Sequence, residues 1–163
     1  MANKDVPGGA VPVGPVLRAS EWVAAGAIYP GDFVSQEAGG RCASASASAA
    51  LCGVALSYAS GAGEKVIVAD DPNQLFEVQA DESDVDAQTD IGLNYDILAT
   101  AGNSTYKCSR MELDSSTQNT TATLPLKLLR IQPRIDNALG GQVKCVVKIN
   151  NHQLGSHTGT AGV

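Results

Sequence analysis

A chain of 163 residues suits one domain, or one domain with a small subdomain, and buries roughly 68–70% of its unfolded surface. Its net charge of -6, from 17 acidic and 11 basic side chains, argues against general nucleic-acid binding, which needs clustered Lys and Arg to displace counterions. Only 4% of residues are aromatic and 17% charged, against 44% hydrophobic, which favours strands and tight turns over long solvated helices.

Residues 1–17, "MANKDVPGGAVPVGPVL", hold Pro7, Pro12 and Pro15 among glycines and valines. Proline fixes φ and pushes its predecessor toward extended geometry, so this segment reads as an extended, mobile arm. Val6, Val11, Pro12, Val13, Pro15, Val16 and Leu17 make it stickier than an inert linker, suited to lying on a neighbouring subunit. No basic region followed by an apolar run is visible here, so the segment does not read as a signal peptide. No stretch anywhere approaches the roughly eighteen apolar residues of a membrane span.

"SEWVAAGAIYPGDFVS" reads as a short helical turn capped by Ser20, then a Pro30-Gly31 turn and a strand over 32–35. The Ala/Ser alternation of 43–48 fits either a half-wet strand or a loose loop. Further on, "EKVIVAD" is β-branched and bounded by turn residues. "LFEVQA" sets Phe76 and Val78 against Glu77 and Gln79, and "GLNYDIL" sets Leu93, Tyr95 and Ile97 against Asn94 and Asp96. "TLPLKLLRI" aligns Leu124, Leu126 and Leu128; Pro125 makes it an edge strand or one that begins late. "QVKCVVKIN" turns Val143, Cys145, Val147 and Ile149 inward and Lys144 and Lys148 outward, after a Gly140-Gly141 turn. The tail from His152 onward, rich in Gly and Thr, reads as loose or surface-docked. Short strands between turns predict a mainly β protein with a small antiparallel barrel or sandwich body. The division expected is an arm at 1–17, a β-rich domain at 18–154 and a flexible tail at 155–163.

The chemistry is sparse. The acidic stretch "DDPNQLFEVQADESDVDAQTD" (70–90) contains no Lys or Arg. A calcium loop needs Gly at its sixth position and a bidentate Glu at its twelfth. Counting from Asp84 gives Thr89 and Tyr95, and from Asp86 gives Ile91 and Ile97, so both registers fail. A casual cation site through Asp81, Asp84 and Asp86, or a hydrolase using these carboxylates, is the functional alternative to a solvated edge. None of GxSxG, HExxH, GxxxxGK[ST] or GxGxxG occurs. Cys42, Cys52, Cys108 and Cys145 form no CxxC and read as small buried side chains, with a Cys42–Cys52 bridge as the alternative. A Cys145/His152 dyad is disfavoured because the strand pattern turns Cys145 inward, and a His152/His157 metal pair sits in the loose tail. The sequons at Asn103 and Asn119 carry little weight without a secretory route. Neither a catalytic residue, a metal site nor a cofactor is predicted. "RIQPRIDNALG" gathers Arg130, Arg134, Asp136 and Asn137, which suit either a solvated turn or intersubunit contacts.

In order along the chain, "YPGDFV" (29–34), "LCGVAL" (51–56), "VADDPNQLFEVQAD" (68–81), "IGLNYDI" (91–97), "TLPLKLLRIQPRIDNALG" (123–140) and "VKCVVKINNHQL" (143–154) resemble the head-decoration, or cement, proteins of tailed bacteriophages. The resemblance spans residues 27–154 and includes no catalytic signature. It implies a β-barrel or β-tulip body that binds the outside of an expanded capsid and stabilises it against internal DNA pressure. It also implies the major capsid protein as partner, a homo-oligomer (a trimer before a dimer), and a flexible N-terminal arm on neighbouring subunits. No nucleic-acid or membrane partner is implied. The location implied is the outer capsid surface of the virion, after synthesis in the host cytoplasm. Another virion component, a head fibre or a tail protein with a receptor-binding surface, is the alternative. The Ala/Ser run and the four cysteines do not fit the chain to a particular subgroup.

Overall fold

The computed structural model describes residues 3–82, 84–155 and 158–163. Among them are eleven strands and one 3-10 turn, Gln88–Asp90. In chain order the strands are β1 (Val11–Pro12), β2 (Ala19–Ala24), β3 (Phe33–Glu37), β4 (Arg41–Ser44), β5 (Gly53–Ala55), β6 (Lys65–Ala69), β7 (Leu75–Gln79), β8 (Asn94–Leu98), β9 (Glu112–Asn119), β10 (Leu126–Ile131) and β11 (Lys144–Ile149). The mainly β reading holds.

Strands β2 to β6 close a small barrel in the order β2-β4-β3-β5-β6, with β6 pairing back onto β2. One seam departs from the antiparallel expectation: β2 and β4 run parallel, Val23 opposite Arg41 and Ala24 opposite Cys42. The barrel interior holds Ile28, Val34, Cys42, Cys52, Ala55, Val66 and Val68. The expected helical turn at Ser20 is instead β2, because five successive residues, Ala19 to Val23, pair with β6. Tertiary pairing outweighs the weak local cap signal there. The Pro30-Gly31 turn forms as read, with Gly31 at φ 93°, a conformation glycine takes without steric cost. The Ala/Ser alternation becomes strand only through Ser44.

The second sheet has the order β1-β7-β11-β10-β8-β9. A parallel bridge between Ala80 and Leu113 brings β9 back to the end of β7, so this sheet also curls around its own core. Phe76, Val78, Tyr95, Ile97, Leu113, Leu126, Leu128, Cys145, Val147 and Ile149 fill it. Strand β10 lies between β11 and β8, so Pro125 marks a late start rather than an edge. Pro125 still contributes its carbonyl, which accepts from Asn150 N–H at 2.7 Å. The two cores meet at Phe33, whose ring stands edge-on to Phe76 with centroids 6.5 Å apart and planes at 76°.

Neither terminus is loose where described. The segment expected as a free arm is extended, but it lies along its own body and adds β1 to the edge of β7. Residues 158–163 are docked too: Gly162 and Val163 donate to the carbonyls of Thr120 and Gly92, and Thr160 N–H donates to Asn150 Oδ1 at 2.9 Å.

Candidate functional site

The N-terminal segment meets the body through a series of polar clasps. Asn3 donates through Nδ2 to the carbonyls of Ala138 and Gly141, both at 2.8 Å, and accepts from Ala138 N–H. Gln79, expected on the wet face of β7, is buried beneath the segment. Its Oε1 accepts from Val6 N–H at 2.9 Å, and its Nε2 donates to Asp5 Oδ1 at 2.8 Å and Glu112 Oε1 at 2.6 Å. Lys144 Nζ also donates to Gln79 Oε1. Burial pushes the Glu112 carboxyl above its ordinary range and the Lys144 ammonium below its own.

Beyond this clasp Ala10 N–H donates to Gly31 O and Val13 N–H to Leu75 O, both at 2.9 Å. Gly9, at φ 73°, passes so close that a Cβ there would meet Ser109 and the Gly31 carbonyl. Pro12 pairs with Phe76 on a two-residue edge strand, a position a proline tolerates because its missing N–H faces no partner. At the far end Leu17 N–H donates to the buried Gln74 side chain at 2.8 Å. Arg18 pairs with Asp70 at 2.7 Å, and Trp22 Nε1 donates to the same carboxylate at 3.2 Å.

This fastening leaves Val6, Val11, Val16 and Leu17 pointing outward, 61%, 57%, 42% and 55% exposed. Pro15 is exposed, and Pro12 and Val13 are half-buried. Seven residues read as one apolar set thus divide into an outward strip and a pair turned toward the body.

The Arg130–Asn137 cluster divides likewise. Arg134 pairs with Glu77 at 3.1 Å and lies 3.9 Å from Asp136. Asn137 holds its own loop, donating to Gln132 O and Lys144 O and accepting from Lys144 N–H. Arg130 remains exposed at the rim of a shallow apolar groove formed with Ile91, Leu129, Ile131 and Leu139. Ile135 beside them is fully exposed.

The acidic stretch dissolves into separate tasks. Asp71 Oδ1 accepts from Asn73 N–H, closing the turn into β7. Asp81 Oδ1 accepts from Glu82 N–H and from both the N–H and hydroxyl of Ser115 on β9. Asp90 Oδ2 accepts from Asp86 and Ala87 N–H groups and folds the loop back on itself. Asp84 and Asp86 are exposed. Among the described residues no three His, Cys, Asp or Glu side chains are grouped to hold a metal ion.

Cys42, Cys52 and Cys145 are buried free thiols, and burial pushes them up to about 11, 12 and 12. Cys42 lies on one neighbour of β3, and Cys52 N–H donates to Val34 O on the other side of β3. The two stand as free thiols on opposite neighbours of β3, so the Cys42–Cys52 bridge is not formed. Cys145 faces the second core, its Sγ 3.7 Å from Val143 O, with no bond to His152. His157 of the expected histidine pair lies outside the described residues.

Sequence reasoning missed the polar hubs. Gln79 read as a solvated position and Gln74 and Asn150 drew no reading; only the apolar character of the segment that covers Gln79 hinted at a cover. Asp32 is also buried, with Tyr29 N–H and the Ser44 hydroxyl on Oδ2; desolvation raises its carboxyl above the ordinary range.

No family model matches this chain, and no curated protein matches it.

Proposed function

We propose that this chain is a structural virion protein, not an enzyme, that binds the outer surface of an expanded phage capsid and stabilises it against internal DNA pressure. The observation that carries this reading is the outward strip of Val6, Val11, Val16 and Leu17 on a segment held to its own body by a two-residue strand and polar clasps. On the side away from β7 the Ala10 N–H is already held by Gly31 O and Pro12 has none, so a capsid segment meets this strip through the apolar area that its valines bury. The six ordered segments that resemble head-decoration proteins supply the partner, the major capsid protein. Several copies in a homo-oligomer, a trimer before a dimer, multiply weak strips through high effective concentration. Arg130 and Ile135 offer outward groups for contacts between copies.

A second reading, a head-fibre or tail component with a receptor-binding surface, is favoured by one patch. Tyr29 and Tyr58 lie 5.4 Å apart, Lys107 Nζ sits 4.8 Å over the Tyr58 ring, and the neighbouring Tyr106 is 79% exposed.

The test replaces Val6, Val11, Val16 and Leu17 together by Ser, which leaves the buried Gly9 and Ala10 in place. Occupancy on the capsid lattice in virion reconstructions should fall at least tenfold while the circular dichroism spectrum stays unchanged. Unchanged occupancy would overturn the strip as the contact, and density on the tail instead of the lattice would select the second reading.

A further inference from the structure

Across β10 and β11, Lys127 and Lys148 are directly opposite one another in the strand register. Like charges in that position repel, and sheets usually place an acid there. This chain carries 17 acidic residues, yet neither lysine has a carboxylate within 4.0 Å among the described residues. Lys127 Nζ donates to Ala161 O at 2.8 Å and Lys148 Nζ to Asn73 Oδ1 at 3.1 Å. Each ammonium has three donors, so each keeps donors to spare.

Both lysines line one cavity of about 250 Å³ at the junction of β10, β11 and the docked C-terminal residues. His152 lines it as well. Its Nδ1 accepts from Leu154 N–H at 3.1 Å, which places the proton of the neutral ring on Nε2. That Nε2 is buried without a hydrogen-bond partner among the described residues. Asp70 and Asp71, the acids whose charge acts on His152, are committed elsewhere, to Arg18 with Trp22 and to Asn73 N–H. Asn150 braces the wall, donating to Ala122 O and Leu124 O and accepting twice from Thr160. No Asp or Glu lines the cavity among the described residues.

We propose that this cavity binds a dianionic oxyanion of the phosphate class, held by the ammonium groups of Lys127 and Lys148. Two positive charges match a dianion, and lysines serve phosphate as point charges. The volume lies just below the ~300–1,000 Å³ range of small-molecule pockets, which suits an oxyanion rather than a nucleotide. The bound anion turns the repelling lysine pair into a bridge between β10 and β11. The site is independent of capsid attachment, so it is tested on the isolated chain.

Calorimetric titration with inorganic phosphate should show saturable one-site binding, with sulfate competing and chloride at matched ionic strength inert. Lys127→Met and Lys148→Met should each weaken phosphate at least tenfold, and Lys65→Met, in the surface pair with Glu21, should leave it unchanged. Without phosphate, the Lys148→Met chain should melt no lower than the wild type, since the like-charge pair is relieved. Phosphate should raise the melting temperature of the wild type but not of the double variant. Absence of saturable binding in the millimolar range, or binding indifferent to both lysine substitutions, would overturn the site.

Discussion

At the scale of single residues, this chain's polar groups are mostly fasteners, and His152 is the imidazole among them whose burial ties stability to pH. Burial holds its imidazole down at about 4, against an ordinary value near 6.5, so the folded ring stays neutral while the unfolded ring takes a proton. A folded value below the unfolded one contributes stability that is complete above about 6.5 and is lost as pH falls toward 4. The difference between the two states sets a ceiling of about 3 kcal/mol, reduced by water entering around a charged ring. Asp32 and Glu112, whose carboxyls are raised, act in the opposite sense and gain stability on acidification. The measurement is therefore a difference. In phosphate-free buffer, the wild type should lose on the order of 1–3 kcal/mol more between pH 7 and pH 4 than His152→Asn, whose side-chain oxygen still accepts from Leu154 N–H. Equal pH profiles for the two chains would show that His152 does not titrate in this window.

At the scale of elements, the N-terminal segment is held by a two-residue strand and polar clasps, and Gln79 is its central fastener. Replacing Gln79 by Leu removes the acceptor for Val6 N–H and the donor for Asp5 and Glu112, leaving the half-buried Glu112 carboxyl without its hydrogen bond. A lost buried hydrogen bond costs about 1–3 kcal/mol, so amide exchange at Val6 and Ala10 should speed by about ten- to a hundredfold. Amides of β10 and β11 should be far less affected; equal acceleration there would mean that the segment and the body open as one unit. The same segment shows what the sequence could and could not tell. Its prolines announced extended geometry correctly, but period-two patterns do not reveal which face another segment will cover. Asn94 and Asp96 were read as the wet face of β8 by the same rule. Asn94 is buried under the carbonyls of Thr121 and Thr160, and Asp96 under Ser48. Strand β9 went unread because "ELDSSTQN" has one apolar residue, Leu113; its buried Ser115 is satisfied by Asp81 from a distant loop. Strands with strong alternation were legible because their inward residues meet a core, those of β6 the barrel interior and those of β7, β10 and β11 the second core. The candidate site was the least legible part, since Val6, Val11, Val16 and Leu17 were visible as apolar but not their separation from Val13 and Pro12.

At the scale of the whole molecule, the two curled sheets are joined so closely that neither has a complete core alone. Phe33, Val54 and Ala69 belong to strands of the small barrel, yet their side chains pack into the core of the second sheet. Their strand neighbours Val34, Ala55 and Val68 point the other way, into the barrel interior. Period-two alternation therefore makes the wall formed by β3, β5 and β6 serve both cores at once. The N-terminal segment reinforces the join: Ala10 bonds to Gly31 beside the barrel while Val13 bonds to Leu75 on the second sheet. Such a shared wall predicts one cooperative thermal transition for the full chain, with calorimetric and van't Hoff enthalpies equal. Phe33 is the side chain on which this depends, fully buried and edge-on to Phe76. Phe33→Ala should cost about 3–5 kcal/mol. It should also broaden the transition or split it in two, because the side chain removed is the one by which a barrel strand reaches into the second core. A matched cavity inside the second core, Leu128→Ala, should cost about 2–5 kcal/mol and leave the transition single. If both variants unfold in one sharp step with equal enthalpy ratios, the shared wall does not transmit cooperativity through Phe33. For a protein proposed to brace a shell under pressure, coupling of this kind makes a load on the N-terminal strip act on both sheets at once.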